Sequence, residues 1–151
     1  MMTTTKVYCR MVEKAFSFLN TKYDMILFLI YEANENEQGA TGHWFTVALN
    51  LDAKKFQIID SLRPPTDPSL FEKAHKVRAK IITLWKKYTA KHDGCTVPAV
   101  FNYEIQFITR YRQFGIHDCG LFTLKAMELW DGSRLPKIIG SSEINLRKLS
   151  F

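Results

Sequence analysis

Two β-rich runs joined by two residues constrain the fold of this chain more than any other feature. They are HWFTVALNL at 43–51 and KKFQIIDSL at 54–62, with Asp52 and Ala53 between them. β-branched and aromatic residues favour strands, and so short a connection favours a hairpin. We therefore predict two antiparallel strands in which position 43 lies opposite 61 or 62.

Two further runs predict strands. MILFLIY at 25–31 is continuously apolar, which is typical of a central strand buried on both faces. AVFNYEIQFITRY at 99–111 alternates large apolar and polar residues with the period of a strand. The sequence thus predicts a small, mostly antiparallel sheet.

Three segments predict helices. EKAFSFL at 13–19 is short and amphipathic, and LFTLKAMELW at 121–130 is apolar on most faces and hence expected to be buried. The longest, at 70–92, has apolar residues at helical spacing, with Ser69 as the expected N-cap. RPPTDP at 63–68 predicts the turn before it. The predicted class is α+β, as one domain over residues 1–151.

Composition limits the environment and the partners. The three cysteines, Cys9, Cys95 and Cys119, are widely spaced and form no CxxC pair, so we expect no disulfide framework, no zinc site and a reducing compartment. The first residues contain no apolar stretch typical of a secretory signal, and no run approaches the roughly 20 residues that span a bilayer. We expect no membrane insertion. The net charge of +6 favours an anionic partner.

Cys119 stands in the sequence HDCGLF, where a loop is predicted to enter a helix. Unpaired amides and the positive dipole end at a helix start stabilise a thiolate. A lone cysteine is nevertheless more commonly a buried, inert residue. The nucleophile hypothesis therefore needs a base and a group to orient it.

His43 is the best candidate for that base among the four histidines. It opens the first hairpin strand, and Asp60 lies near the end of the second, so both are expected at the open end of the hairpin, close enough to hydrogen-bond. A turn aspartate and a surface histidine are the simpler alternatives. His75 and His92 belong to a basic helix face, and His117 is too close to Cys119 in sequence to be oriented by a distant acid.

Order and spacing carry a resemblance to a known family. His43 is followed by Trp44, an Asp-Ser pair begins 17 residues after His43, and Gln113 stands six residues before Cys119. This resembles the catalytic core of the Ulp/SENP family of ubiquitin-like-protein-specific cysteine proteases. The resemblance implies a papain-like (adenain-type) fold and a thiol protease that cuts after the C-terminal Gly-Gly of a SUMO-like modifier.

The resemblance also implies a role for each site residue. Cys119 becomes the nucleophile, His43 the general base and then acid, Asp60 the orienting group and Gln113 the oxyanion donor. Trp44 resembles an aromatic wall of the substrate tunnel, although core packing is an equal alternative. Gly120 lets the substrate backbone approach the thiolate. Neither a metal nor a cofactor is expected.

Catalytic domains of this family are usually longer at the N-terminal side, so we expect a shortened copy. The alternative function is a weak or inactive domain that binds a ubiquitin-like protein, or nucleic acid through a basic helix face. That face comprises Lys73, Lys76, Arg78, Lys80, Lys86, Lys87 and Lys91. The catalytic pattern favours the enzyme and makes nucleic acid the less expected partner. The resemblance implies a monomer in the nucleus or cytoplasm.

Overall fold

The computed structural model describes residues 24–33, 42–90, 98–109, 112–113 and 115–135. The helix predicted at 13–19 lies outside them. None of the helices within these ranges is long and apolar enough to cross a bilayer. The elements along the chain are β1 (Met25–Ala33), β2 (Gly42–Asn50), β3 (Lys55–Ile59), α1 (Pro68–Ala90), a 3-10 turn (Val100–Asn102), β4 (Glu104–Phe107) and α2 (Cys119–Leu129).

The described strands form one sheet in the order β1-β2-β3-β4. The β1–β2 and β2–β3 pairings are antiparallel, whereas β4 pairs with β3 in parallel. The parallel pair requires a crossover, which α1 supplies between β3 and β4. This architecture confirms the predicted α+β class with a mostly antiparallel sheet.

The predicted hairpin is confirmed in its register. Thr46 lies opposite Ile59 and Asn50 opposite Lys55, so the same register continued beyond the ladder brings position 43 opposite 62. The connecting turn covers residues 51–54, and Asn50 Oδ1 accepts a hydrogen bond from the Ala53 backbone N–H at 2.8 Å. A side-chain acceptor of this kind stabilises a tight turn. The hairpin therefore determines which residues meet at its open end.

The two helices pack on opposite faces of the sheet. Val47 and Ile58 belong to the core cluster that includes Leu70 and Trp85 of α1. Their neighbours in sequence, Ala48 and Ile59, belong to the cluster that includes α2, with Phe122, Ala126 and Trp130. Successive side chains of a strand point to opposite faces, so β2 and β3 are the strands covered on both sides.

The prediction that 25–31 is a central strand buried on both faces is wrong. β1 is the edge strand of the described sheet, and its burial alternates: Phe28 and Ile30 are buried, while Leu29 is 38% and Tyr31 43% exposed. The apolar run overstated burial because α2 packs over β2, leaving part of the neighbouring β1 face uncovered. The central strands are β2 and β3.

The long helix is confirmed, but its cap is not the one expected. α1 begins at Pro68, and Asp67 Oδ1 accepts hydrogen bonds from the backbone N–H groups of Ser69 and Leu70 at 2.8 and 3.3 Å. Asp67 is thus the N-cap and Pro68 takes the first helical position, where a missing N–H costs nothing. Ser69 lies inside the first turn and donates its hydroxyl to Asp67 at 2.6 Å.

The strand predicted at 99–111 is shorter than expected. Residues 100–102 form the 3-10 turn, and only Glu104–Phe107 pair with β3. The alternation was misleading at its start because Phe101 lies 52% exposed on the surface, with its carbonyl oxygen accepting from Arg78 Nη2 at 2.7 Å. The hydrogen bond from Arg78 therefore holds a turn at residues 100–102, where the alternation of side chains predicted a strand.

α2 begins at Cys119, which confirms the predicted helix start. The expected burial holds for the side that faces the sheet, where Phe122, Thr123 and Ala126 are buried, whereas Leu124 is 59% exposed. The far end of α2 is tied to the sheet: Trp130 Nε1 donates to Gln57 Oε1 at 3.1 Å, and Gln57 Nε2 donates to the Gly132 carbonyl at 2.9 Å. A satisfied buried polar network favours one arrangement of the elements. It fixes the helix whose first residue is Cys119.

Candidate active site

His43 and Asp60 meet at the open end of the hairpin. Nε2 of the imidazole lies 2.9 Å from each Asp60 carboxylate oxygen, within hydrogen-bonding distance. The histidine side chain is 14% exposed and that of the aspartate 1%. The geometry expected from the register is therefore present, and the pair is largely removed from water.

The Asp60 carboxylate receives more than the imidazole. The backbone N–H groups of Leu62 and Arg63 donate to Oδ1 at 2.8 and 2.9 Å, and Arg63 Nε donates to Oδ2 at 2.9 Å. Burial would raise the pKa of Asp60, but the hydrogen bonds from His43 and Arg63 and their positive charges outweigh it, so this pKa lies below its ordinary value of 3.8. The carboxylate is held in its charged form.

The second imidazole nitrogen is in a different situation. His43 Nδ1 is buried and has no hydrogen-bond partner among the described residues. A buried polar nitrogen without a partner carries a free-energy cost, and such atoms in folded proteins call for an explanation. With Nε2 committed to Asp60, Nδ1 is the ring nitrogen left for another group.

Cys119 is the first residue of α2 and is 6% exposed. Its Sγ lies 4.0 Å from the carbonyl oxygen of Gly42, the residue that precedes His43. The chain thus brings the thiol next to the strand end that carries the imidazole. The start of α2 supplies unpaired amides and the positive end of the helix dipole beside the sulfur.

Gln113 is held against the residue that follows Asp60. Its backbone N–H donates to the Ser61 carbonyl at 2.8 Å, and its side-chain Oε1 accepts from Ser61 Oγ at 2.6 Å. Nε2 donates to the Gly115 carbonyl at 2.5 Å. Because Ser61 occupies the oxygen end, the N–H₂ end of the amide faces the loop that leads to Cys119.

The two expected substrate-contacting residues lie together. A β-carbon added to Gly120 would stand 3.6 Å from Trp44 Cδ1, which is ordinary van der Waals contact. Trp44 is only partly buried and packs on Tyr31, with ring centroids 4.6 Å apart. Part of the Trp44 side chain therefore remains exposed and is not explained by core packing. At position 120, the surrounding residues leave room for a side-chain methyl group, so the fold itself does not require glycine there.

Among the described residues, His75, His117 and much of the basic face lie outside this cluster. His75 is exposed and packs on Phe71, and His117 is exposed in the loop before α2. On α1, Lys73 pairs with Glu32 at 3.3 Å and Lys76 with Glu72. Arg78 donates to the carbonyl oxygens of Phe101 and Tyr103. His92 and Lys91 lie outside the described residues.

Ser61 and Arg63 contact the site, although the sequence indicated no role for either side chain. Ser61 follows Asp60 directly and Arg63 stands three residues after Asp60, in the sequence DSLR, whose pattern indicates only a strand end and the start of a turn. The signal that could have found Arg63 is a buried aspartate followed three residues later by a cation, a spacing at which a turn brings the two together.

The sequence matches the family model described as the Ulp1 protease family, C-terminal catalytic domain, over residues 6–131. The chain belongs to this family. Membership confirms the resemblance and agrees with the α+β, papain-like class expected from it. No curated protein matches the chain in sequence.

Solved structures of the same family are similar to the chain at low identity. The C-terminal Ulp1 protease domain in complex with Smt3, the yeast ortholog of SUMO, is 20% identical, with a TM-score of 0.45, and the match covers 76% of this chain and 46% of that one. A SUMO protease Ulp1 with its catalytic cysteine oxidised to a sulfinic acid is 19% identical, with a TM-score of 0.48 and coverages of 81% and 49%. The match therefore spans about half the length of these domains.

Proposed function

We propose that this chain is a thiol protease that cleaves after the C-terminal Gly-Gly of a SUMO-like modifier. The cleaved bond joins the modifier to a peptide extension or to a lysine side chain. The observation that carries the proposal is the largely buried His43–Asp60 pair, with the imidazole 2.9 Å from the carboxylate, together with a thiol at a helix start that lies 4.0 Å from the carbonyl oxygen of Gly42, the residue before His43. A binding module has no use for a buried acid and base of this kind next to a cysteine.

In the proposed reaction, Cys119 loses its proton to His43 Nδ1, the nitrogen that has no partner among the described residues. Asp60, bonded to Nε2, holds the ring and stabilises the imidazolium that forms. The thiolate attacks the carbonyl carbon of the terminal glycine and gives a tetrahedral intermediate. Its oxygen carries the negative charge that the site must stabilise.

Gln113 Nε2 and the backbone N–H of Cys119 are the proposed donors to that oxygen. Collapse of the intermediate expels the amine, which takes the proton from His43, and leaves a thioester on Cys119. Water, deprotonated by His43, then attacks the thioester carbonyl, the C–S bond breaks, and the modifier leaves with a free carboxylate. The Cys119 thiolate is released beside the protonated His43, which returns the proton to it. In this proposal Cys119 is the nucleophile and a backbone donor, His43 is the base and then the acid, Asp60 orients His43, and Gln113 is the side-chain oxyanion donor.

The proposed substrate explains the small and aromatic residues around the thiol. Two consecutive glycines have no side chains, so a narrow channel can admit them and exclude most other C-terminal sequences. Trp44 would form one wall of such a channel, and Gly120 would leave room for the substrate backbone. The Ulp1 domain that forms a complex with Smt3 is about twice as long as the part that matches this chain. The proposal of a SUMO-like substrate therefore rests on membership of the Ulp1 protease family and not on that complex.

A covalent probe tests the proposal. The full chain is incubated with SUMO-type and other ubiquitin-like modifiers that carry a C-terminal electrophile, and adducts are located by tryptic peptide mapping. Cys119 lies in the predicted peptide 113–125, whereas Cys9 and Cys95 fall in 7–10 and 92–110. We expect an adduct on 113–125 that Cys119→Ser abolishes. The same modifier without the electrophile is the control.

Two other outcomes would decide against it. Adducts on Cys9 or Cys95 would refute Cys119 as the nucleophile. Binding of the modifier with no adduct and no cleavage would favour the alternative, a domain that recognises a ubiquitin-like protein without processing it.

A further inference from the structure

Arg63 contacts the buried acid from the side that His43 leaves open. Its Nε donates to Asp60 Oδ2 at 2.9 Å, and its backbone N–H donates to Oδ1 at the same distance. The carboxylate thus has His43 on one side and the backbone and guanidinium of the 61–63 turn on the other. A carboxylate has about four lone-pair sites, and this set of donors fills them.

The guanidinium is itself fixed by residues from other elements. Nη1 donates to Glu32 Oε2 of β1 at 3.0 Å, and the group lies over the ring of Phe45, 5.4 Å from its centroid. The Arg63 side chain is 13% exposed. Glu32 also pairs with Lys73 of α1. A planar fork gripped at two points loses little further freedom when it binds a carboxylate.

We propose that Arg63 is a positioning residue for the reaction: its guanidinium, anchored by Glu32, holds Asp60 in the orientation in which the carboxylate grips His43. This inference rests on the proposed function, because it assigns the residue to the same acid and base. Glu32 is also the residue directly opposite His43 in the β1–β2 ladder. One chain of contacts therefore connects the strand pair that carries the base to the group that orients it.

Two simpler roles for Arg63 make different predictions. A residue that only stabilises the turn would lower the free energy of unfolding without a specific effect on the chemical step. A residue that acts only through its positive charge would affect His43 directly. Its removal would then change kcat equally in the wild-type and the Asp60→Asn backgrounds. A positioning residue acts through Asp60 alone, and a double-mutant cycle separates these cases.

The experiment compares Arg63→Met, Asp60→Asn and the double variant in the full chain. We expect Arg63→Met to lower kcat on a modifier substrate by about tenfold to a hundredfold, with KM within about twofold, because small displacements of reacting groups are costly. In the Asp60→Asn background, Arg63→Met should change kcat by less than about twofold. Equal losses in both backgrounds, or no loss in the single variant, would overturn the proposal.

Conservative and matched variants distinguish positioning from charge and from folding. Arg63→Lys keeps the charge but cannot bridge Asp60 and Glu32 with a planar fork, so it should recover less than half of the loss in log kcat. Full recovery would overturn the role of the planar guanidinium.

Glu32→Gln should reproduce part of the loss in kcat seen in Arg63→Met. Lys73→Met, which removes the neighbouring ion pair without touching Asp60, is the control and should remain within about twofold.

A second readout does not require the modifier. The rate of iodoacetamide alkylation of Cys119, measured on peptide 113–125 from mildly acidic to mildly alkaline pH, reports thiolate formation beside His43. The charged and titratable groups around this site come from several elements. Arg63 of the turn contacts Asp60, and Glu32 of β1 contacts Arg63. Asp67, the N-cap of α1, interacts with the charge of Arg63, and Lys73 of α1 pairs with Glu32. His117 and Asp118 directly precede Cys119 in the sequence. Asp60→Asn and Arg63→Met should slow alkylation at mildly acidic pH, without an additive effect in the double variant.

The two readouts fail separately. If no modifier is cleaved, the proposed function is wrong, and alkylation still decides whether Arg63 acts through Asp60 on the thiol. If cleavage occurs but Arg63→Met leaves both kcat and alkylation unchanged, the proposed function stands and the positioning role is wrong.

Discussion

Tyr31 of β1 lies directly over Gly42 of β2, so that a β-carbon added to the glycine would collide with the tyrosine ring. The same ring packs on Trp44, and the Gly42 carbonyl is the backbone group that the Cys119 sulfur approaches in hydrogen-bond geometry. Residue 42 must therefore be small for Tyr31, Trp44 and the strand end to keep their arrangement. This contact gives the first prediction.

Gly42→Ala should destabilise the fold by about 1 kcal/mol, the low end of the cost of overpacking because the Tyr31 ring is 43% exposed and can shift, and should lower turnover by moving the ring off Trp44. The cause is the clash with Tyr31, so in a Tyr31→Ala background the same substitution should cost less than about 0.5 kcal/mol. Urea unfolding of the four proteins measures both values. A cost that persists without the Tyr31 ring would show that backbone strain, and not the aromatic contact, excludes alanine.

Gly120→Ala is a matched substitution with the opposite expectation for stability. The added methyl would meet Trp44 only at ordinary contact distance, so the free energy of unfolding should change by less than about 1 kcal/mol, the difference in helix propensity. Turnover should fall at least about tenfold if the substrate backbone passes beside this residue. Unchanged kcat/KM on the modifier substrate would remove Gly120 from the substrate path.

The sequence predicted the hairpin and the meeting of His43 and Asp60 because a two-residue period and a short turn fix register over a few residues. It could not predict that β1 is an edge strand. An apolar run indicates how much surface a strand can bury, while the position of α2 decides which residues are covered. Leu29 and Tyr31 are exposed for that reason.

Other features depended on contacts between distant residues. The 3-10 turn at Val100–Asn102 is held by Arg78 from α1, and Arg63 reaches Glu32 across 31 positions of sequence. Neither contact can be predicted from the pattern of neighbouring residues, because each joins residues far apart in the sequence. The cap of α1 could have been predicted, since Asp67 followed by Pro68 fits the preferences for the N-cap and first helical positions better than Ser69 does.

Acid should remove a specific part of the stability through Asp60. The pKa of this buried carboxyl lies below 3.8 in the folded chain, because the hydrogen bonds from His43 and Arg63 outweigh the effect of burial. A lowered folded-state pKa contributes stability above the unfolded value, and that contribution is lost as the pH falls through the lower folded value. The free energy by which wild type exceeds Asp60→Asn should therefore be constant near neutrality and shrink below pH 3.8.

Urea unfolding of both proteins over this pH range measures the difference. Asp52→Asn, at an exposed position in the hairpin turn, is the control and should alter stability by less than about 0.5 kcal/mol throughout. A gap between wild type and Asp60→Asn that widens in acid would contradict the assignment of the charged form to the folded state.

Ser61 should matter to the chemical step through Gln113. Its hydroxyl donates to Gln113 Oε1 at 2.6 Å, which fixes the amide with its N–H₂ end toward the loop before Cys119. Removing an oxyanion donor costs about a hundredfold or more in kcat, so Gln113→Ala is expected in that range. Ser61→Ala leaves the donor present but with its side-chain amide held only through the Gly115 carbonyl, so it should cost about tenfold in kcat with little change in KM.

The double variant separates positioning from any other effect of Ser61. If the serine acts only by orienting the amide, Ser61→Ala should add less than about twofold to the loss in Gln113→Ala, because the oriented group is already gone. Ser133→Ala, which removes a comparable hydroxyl bonded to Asp131 on the surface, should leave kcat unchanged. A further tenfold loss in the double variant would mean that Ser61 acts on the site by a route independent of Gln113.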